Sequence, residues 1–143
     1  MYKSLLHILV LALVLIISGC SGSKAYYKKG KKLDESGLSL EAANFYIESL
    51  NRKRSNADAI IALKQTGQKV LDDKLATFYK DYSAERFHDA VYSYLDAQAF
   101  KSKVTQVGVT LEEAPYYEDY YQEAKDIYIA ELYDEAQKFL DNE

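Results

Sequence analysis

The sequence predicts an all-α domain of antiparallel helix pairs behind a short apolar leader. Three observations carry that prediction. Apolar residues recur at spacings of three and four along most of the chain, the period that lines one face of a helix. Short stops holding glycine or serine part these stretches at regular intervals. The 143 residues contain one proline and six glycines, so helix breakers are few.

The leader comes first. Lys3 supplies a positive start, and Leu5 to Ile17 is a 13-residue apolar run broken only by His7. A spanning helix needs about 20 apolar residues, so this run has the length of a signal h-region. It ends in Ile17-Ser18-Gly19-Cys20. Small side chains at 18 and 19 leave the backbone open to a peptidase, and the thiol at 20 is a nucleophile able to accept a lipid. These four residues resemble the lipobox of bacterial lipoproteins. The resemblance implies cleavage before Cys20, diacylglycerylation of its sulfur, acylation of the new amine, and a membrane contact made through lipid. Two or three acyl chains, at about 0.8 kcal/mol per buried CH₂, hold stably. Residues 1–19 are therefore expected to be a lipoprotein signal peptide, 20–24 a lipidated tether and 25–143 the helical domain. The implied location is the bacterial cell envelope, lipid-anchored. Ser21 in place of Asp is compatible, by resemblance to the enterobacterial sorting rule, with an outer membrane where the organism has one.

Without the leader, Leu, Ile, Val and Phe make up 26 of 124 residues, and 13 tyrosines stand beside them. Tyrosine must supply much of the buried area while its hydroxyl finds an acceptor or water. Cys20 is the one cysteine, which rules out an intrachain disulfide and a Cys/His metal cluster. Charge is graded along the chain. Residues 20–54 carry eight Lys/Arg against four Asp/Glu, whereas residues 112–143 carry two against eleven. A basic end beside the anchor suits an anionic membrane surface.

The elements follow in order. Gly37 suits the left-handed C′ position closing a helix over 24–36, and Ser39 with Glu41 suits the start of one over 39–54. Ser55 and Asp58 open a long helix over 56–82, whose buried face reads Ile60, Leu63, Gly67, Leu71, Leu75, Phe78, Tyr82. Gly67 in that stripe implies close approach of a helix carrying Ala42 and Ala43. Ser83 and Glu85 open the next helix and Gly108 closes it. Thr110 with Glu113 has the form of a capping box, but Pro115 fits better at a helix start, so the last stretch begins there.

Three segments then share a pattern: Gly37–Ala42 followed by Tyr46, Glu85–Ala90 followed by Tyr94 and Ala97, and Glu131–Ala136 followed by Leu140. Each resembles the turn into the second helix of a tetratricopeptide repeat. Tyr26, Gly30 and Leu33, and again Tyr120, Ala124 and Ile127, stand where the first helix of such a repeat has its aromatic, small and large residues. The resemblance implies a short solenoid of stacked helix pairs that binds a partner. It departs from the family in spacing, since the three alanines lie 48 and 46 apart rather than 34, and in Phe78, where a small residue is usual. The third hairpin ends about ten residues after Glu131, which leaves an apolar end needing a cover.

No catalytic constellation is present, and neither enzymatic activity nor a cofactor is expected. His88 and Asp89 are adjacent on a helix and expected to point apart. Asp72 and Asp73, and the acidic group Glu112, Glu113, Glu118, Asp119 and Glu123, lack the glycine-containing loop of a calcium site. No phosphate loop or hydrolase elbow occurs, and the negative charge disfavours nucleic acid. The densest aromatic stretch is Tyr116, Tyr117, Tyr120, Tyr121, Tyr128 and Tyr133. Tyr117, Tyr120, Tyr121 and Tyr128 share one side of a helix and are the candidate partner-binding residues. The expectation is a membrane-anchored module that binds a protein or peptide. The alternative is an envelope-assembly lipoprotein that binds cell-wall or surface polysaccharide through its tyrosines.

Overall fold

The computed structural model describes residues 22–141, and these form helices joined by short turns. Cys20, with the leader and the expected lipid site, lies outside the described residues. The helices are α1 (22–35), α2 (Ser39–Arg52), α3 (Ala57–Ser83), α4 (Phe87–Gln106) and α5 (Tyr116–Leu140). The described residues contain no strand, and none of their helices is long and apolar enough to cross a membrane.

Three helices end in the same way. At the end of α1 the Leu38 N–H donates to Leu33 O at 2.9 Å, and Gly37 N–H to Asp34 O at 2.9 Å. Gly37 has φ +79°. This is a Schellman closure, in which a left-handed residue lets two amides fold back onto orphan carbonyls. Gly108, φ +87°, closes α4 through Val109 N–H to Val104 O at 3.3 Å and Gly108 N–H to Thr105 O at 2.9 Å. The end of α3 repeats the geometry with Arg86 N–H to Asp81 O and Glu85 N–H to Tyr82 O. Here the left-handed residue is Glu85, φ 57°, the one non-glycine in that region among the described residues.

The helix starts differ from expectation. Ser83 is the last residue of α3 rather than the start of α4, because the Schellman turn carries the chain through Ala84 and Glu85 first. Ser39 is the first residue of α2, with Leu38 before it making no side-chain cap bond. Asn56, not Ser55, caps α3: its Oδ1 accepts the Ala59 N–H at 3.4 Å. The last helix starts at Tyr116, directly after Pro115, as the sequence indicates.

The chain divides into two compact units, one from Met1–Val70 with Lys103–Leu111 and one from Leu71–Ser102 with Glu112–Glu143. In the first, Ser23 bonds Ser49 and Tyr26 stacks on Phe45. Rising numbers on one helix meet falling numbers on the other, so α1 and α2 are antiparallel. Ser23 accepts from Asn56 Nδ2 at 3.0 Å and Asp34 accepts the Thr66 hydroxyl at 2.7 Å, so the start of α3 runs alongside α1 in the same direction. In the second unit Ser93 bonds Asp81 and Lys74 pairs with Asp96, which sets α3 and α4 antiparallel. Tyr117 meets Phe78 and Glu123 meets Tyr82, so α5 runs parallel to the end of α3.

The first unit buries Ala42, Ala43, Tyr46, Leu50, Leu63, Val104 and Leu111, and the second Leu71, Leu75, Phe78, Ala90, Tyr94, Ala97 and Ala124. Ile60, expected within the buried face of α3, is 37% exposed. The close approach expected at Gly67 occurs instead at Gly30. A Cβ on Gly30 would stand 2.7 Å from the Tyr46 ring and 3.1 Å from the Ala42 carbonyl oxygen. A Cβ on Gly67 would meet only the Leu63 and Leu111 methyls at 3.4–3.7 Å, which is ordinary contact.

Alanine should therefore have opposite effects at these two glycines. Gly30→Ala lowers the unfolding free energy by about 2 kcal/mol through overpacking, while Gly67→Ala raises it by about 1 kcal/mol through helix propensity. Urea midpoints at constant slope check both, and equal shifts of one sign would refute the assignment. Glu85→Gly removes the left-handed strain at the α3 end and raises stability by about 1 kcal/mol, visible in the same titration.

Candidate functional site

The four tyrosines singled out in the sequence do come together, on the face of α5 that packs on α3 and α4. Each is half-buried. Tyr120 stacks on Tyr82 with ring centroids 4.9 Å apart and also meets Tyr79 at 5.6 Å. Tyr121 stacks on Tyr94 at 4.4 Å, Tyr117 tilts against Phe78 at 6.1 Å, and Tyr128 meets the His88 ring edge-on at 5.3 Å. The rings thus form the seam that seats α5, and each keeps only part of its surface for a ligand. His88 is exposed and its Nδ1 lies 2.9 Å from Asp89 Oδ1, so the two neighbours meet rather than point apart.

Beside the seam lies a polar cluster that the sequence did not disclose. Glu113, on the extended segment before α5, accepts hydrogen bonds from the Tyr94 hydroxyl at 3.0 Å, Gln98 Nε2 at 2.8 Å and Lys101 Nζ at 2.7 Å. Burial alone would raise its pKa, but these three donors outweigh it and hold the carboxyl below the ordinary range. Tyr94 also donates to Glu118 at 2.7 Å, and burial together with the two carboxylates drives its phenol far up. Tyr82 donates to Glu123 at 2.7 Å; that bond, then burial, pushes it up to about 12. The acidic group considered as a cation site is thus partly spent on tyrosine hydroxyls and an ammonium. Among the described residues no group of three or more His, Cys, Asp or Glu is arranged to hold a metal. The only sequence signal for this cluster was the need of each buried tyrosine for an acceptor.

The far part of α5 behaves differently. No turn occurs at Glu131, and α5 continues without a break to Leu140. The expected third hairpin is absent because the stretch holds no glycine or proline and is rich in Ala, Glu, Leu and Gln, which favour continuous helix. Its repeat-like alanine, Ala136, is exposed, whereas Ala42 and Ala90 are fully buried. Every residue of 129–141 is exposed. Ile129, Leu132, Tyr133, Ala136 and Leu140 recur at i, i+3, i+4, i+7 and i+11, a single apolar stripe joined at its end by Phe139. Tyr133 and Leu140 are each 74% exposed and Phe139 70%. Glu131, Asp134, Glu135 and Asp141 stand on the remaining surface of these turns. Large apolar side chains aligned in water mark a contact surface more often than a solvated face.

With this geometry in hand, comparison with known proteins adds no assignment. No family model, curated protein or solved structure matches the chain.

The cluster predicts the pH limits of folding. Glu113 has a depressed pKa in the fold, so its contribution is present above the unfolded value and lost as pH falls through the folded one. Glu113→Gln should therefore flatten the acid limb of a stability–pH curve below about 4.5, the ordinary carboxylate value. Tyr82 has a raised pKa, so its contribution is lost between about 10 and about 12 as the pH climbs. Glu123→Gln should narrow that alkaline limb. Thermal melts across pH give both, and unchanged limbs would show that the cluster does not couple to folding.

Proposed function

We propose that this chain is a lipid-anchored helical adaptor of the bacterial envelope, docking a protein partner on the uncovered stripe of α5. The stripe carries the reading. Tyr133, Phe139 and Leu140 stand mostly in water with Leu132 half-exposed beside them, and burying one large apolar side chain is worth about 1.5–3 kcal/mol. The acidic rim favours one kind of occupant, an amphipathic helix with an apolar face and basic flanks. The tyrosine seam acts as the mount: Tyr117, Tyr120, Tyr121 and Tyr128 grip one half of α5 so that the other half projects.

Tetratricopeptide-like ancestry supports the same reading. Each unit holds a helix, its antiparallel partner and a third helix parallel to the first. Ala42 and Tyr46 in one unit, and Ala90 and Tyr94 in the other, are buried at matching positions. The second half of α5 has no helix packed on it among the described residues. A partner helix laid on the stripe would pair with it. The anchoring half of the proposal rests on Ile17-Ser18-Gly19-Cys20 and the apolar leader before it.

Two measurements test the halves separately. Cys20→Ser should leave the leader uncleaved, remove the lipid mass and release the chain from the membrane fraction; an unchanged mass and distribution would sink the anchor. A photo-crosslinker at Phe139 should trap one protein in intact cells, and Leu132→Glu with Leu140→Glu should abolish the adduct at unchanged helix content. A trapped partner that survives both substitutions would place docking elsewhere.

A further inference from the structure

A second feature lies in the first unit, near the expected anchor. The start of α1, the α2–α3 turn and the first turn of α3 enclose a cavity of about 390 Å³ lined by Ser23, Lys24, Tyr27, Lys28, Lys53 and Asn56. Its floor is locked. The fully buried hydroxyls of Ser23 and Ser49 lie 3.0 Å apart, Ser49 Oγ donates to Ser23 O at 2.8 Å, and Asn56 Nδ2 donates to both hydroxyl oxygens at 3.0 Å. One knot thus ties α1, α2 and the cap of α3, so the cavity is preformed rather than assembled on binding.

The charge at its mouth is unspent. Several other lysines are engaged: Lys64 on the Thr110 carbonyl, Lys74 on Asp96, Lys101 on Glu113 and Lys29 over the Phe45 ring. The side chains of Lys24, Lys28 and Lys53 have no ion pair or hydrogen bond among the described residues, although all three residues line one cavity. Asp58 is the one carboxylate in the lining. Three lysines lining one concave site, with Ser55 also in its wall, suit a compact polyvalent anion rather than a flat solvated surface.

We infer that this cavity binds a phosphate group, presented by an anionic phospholipid headgroup or by a free phosphate ester. The lipid source rests on the anchoring reading above. Two residues, Ser21 and Gly22, separate Cys20 from Ser23, and three extended steps cover at most about 11 Å. A chain held by lipid at Cys20 therefore carries the cavity at the depth of the headgroup phosphates. The wall formed by Tyr27 can pack against a glycerol or sugar joined to the phosphate. Binding there would restrain the domain's tilt on its tether.

Calorimetry on the full chain carrying Cys20→Ser tests this, with inorganic phosphate, dioctanoyl phosphatidylglycerol below its micelle concentration, and the zwitterionic phosphatidylcholine analogue as titrants. Heat from phosphatidylglycerol alone supports the lipid source, and heat from inorganic phosphate supports the free one. In either case each of Lys24→Gln, Lys28→Gln and Lys53→Gln should weaken binding roughly fivefold, whereas Lys138→Gln on α5 should not. Circular dichroism of the triple variant, whose lysines are all exposed, should be unchanged. No heat from either anion, or equal binding by the triple variant, overturns the inference. Because the protein tested lacks the anchor thiol, a failed titration leaves the anchoring result standing, and a failed anchor leaves the titration standing.

Discussion

Tyrosine stands between the helices of this protein, and every buried phenol has to keep its hydroxyl paired. Tyr46 fills the gap left by Gly30 and donates a hydrogen bond to Asp34 Oδ2 at 3.3 Å. Tyr94 fills the gap beside Ala90 and Ala97 and reaches Glu113 and Glu118. An aliphatic core would impose no such requirement. With only about a fifth of residues 20–143 drawn from Leu, Ile, Val and Phe, this chain needs the aromatic area and must bring carboxylates to its tyrosines. Among the described residues no buried side-chain polar atom lacks a hydrogen-bond partner.

That requirement explains where the acidic residues went. Asp34, Glu113, Glu118 and Glu123 sit on three different elements, yet each accepts from a tyrosine. A seam of this kind is directional as well as apolar, because these hydroxyls are tied to particular carboxylates and the rings that carry them cannot slide along the helix. A mount built this way can hold α5 by its first half and leave the second half in water.

The same economy separates the two proposed surfaces by chemistry. The α5 stripe is apolar with an acidic border, suited to a helix. The cavity beside α1 is cationic over a hydrogen-bonded floor, suited to a phosphate. They lie in different units of the chain, and each is complete within its own.

Local features of the sequence were enough to determine the helical class, the stops at Gly37 and Gly108, and the start beside Pro115. Each depends on periodicity, on a left-handed backbone that glycine adopts freely, or on a ring that fits a first turn. Tertiary packing decided the rest. Glu85 adopts a left-handed conformation that its side chain disfavours because the Schellman bonds to Asp81 and Tyr82 hold it there. Gly30 rather than Gly67 marks the close contact because the ring opposite is Tyr46, twelve or more residues away and invisible to a local pattern. The Glu131 segment matched a turn motif, yet a turn forms only where a second helix can pack back, and α5 instead runs on into solvent. Lys24, Lys28 and Lys53 are scattered in sequence, and only the antiparallel return of α2 brings the last of them to the first two.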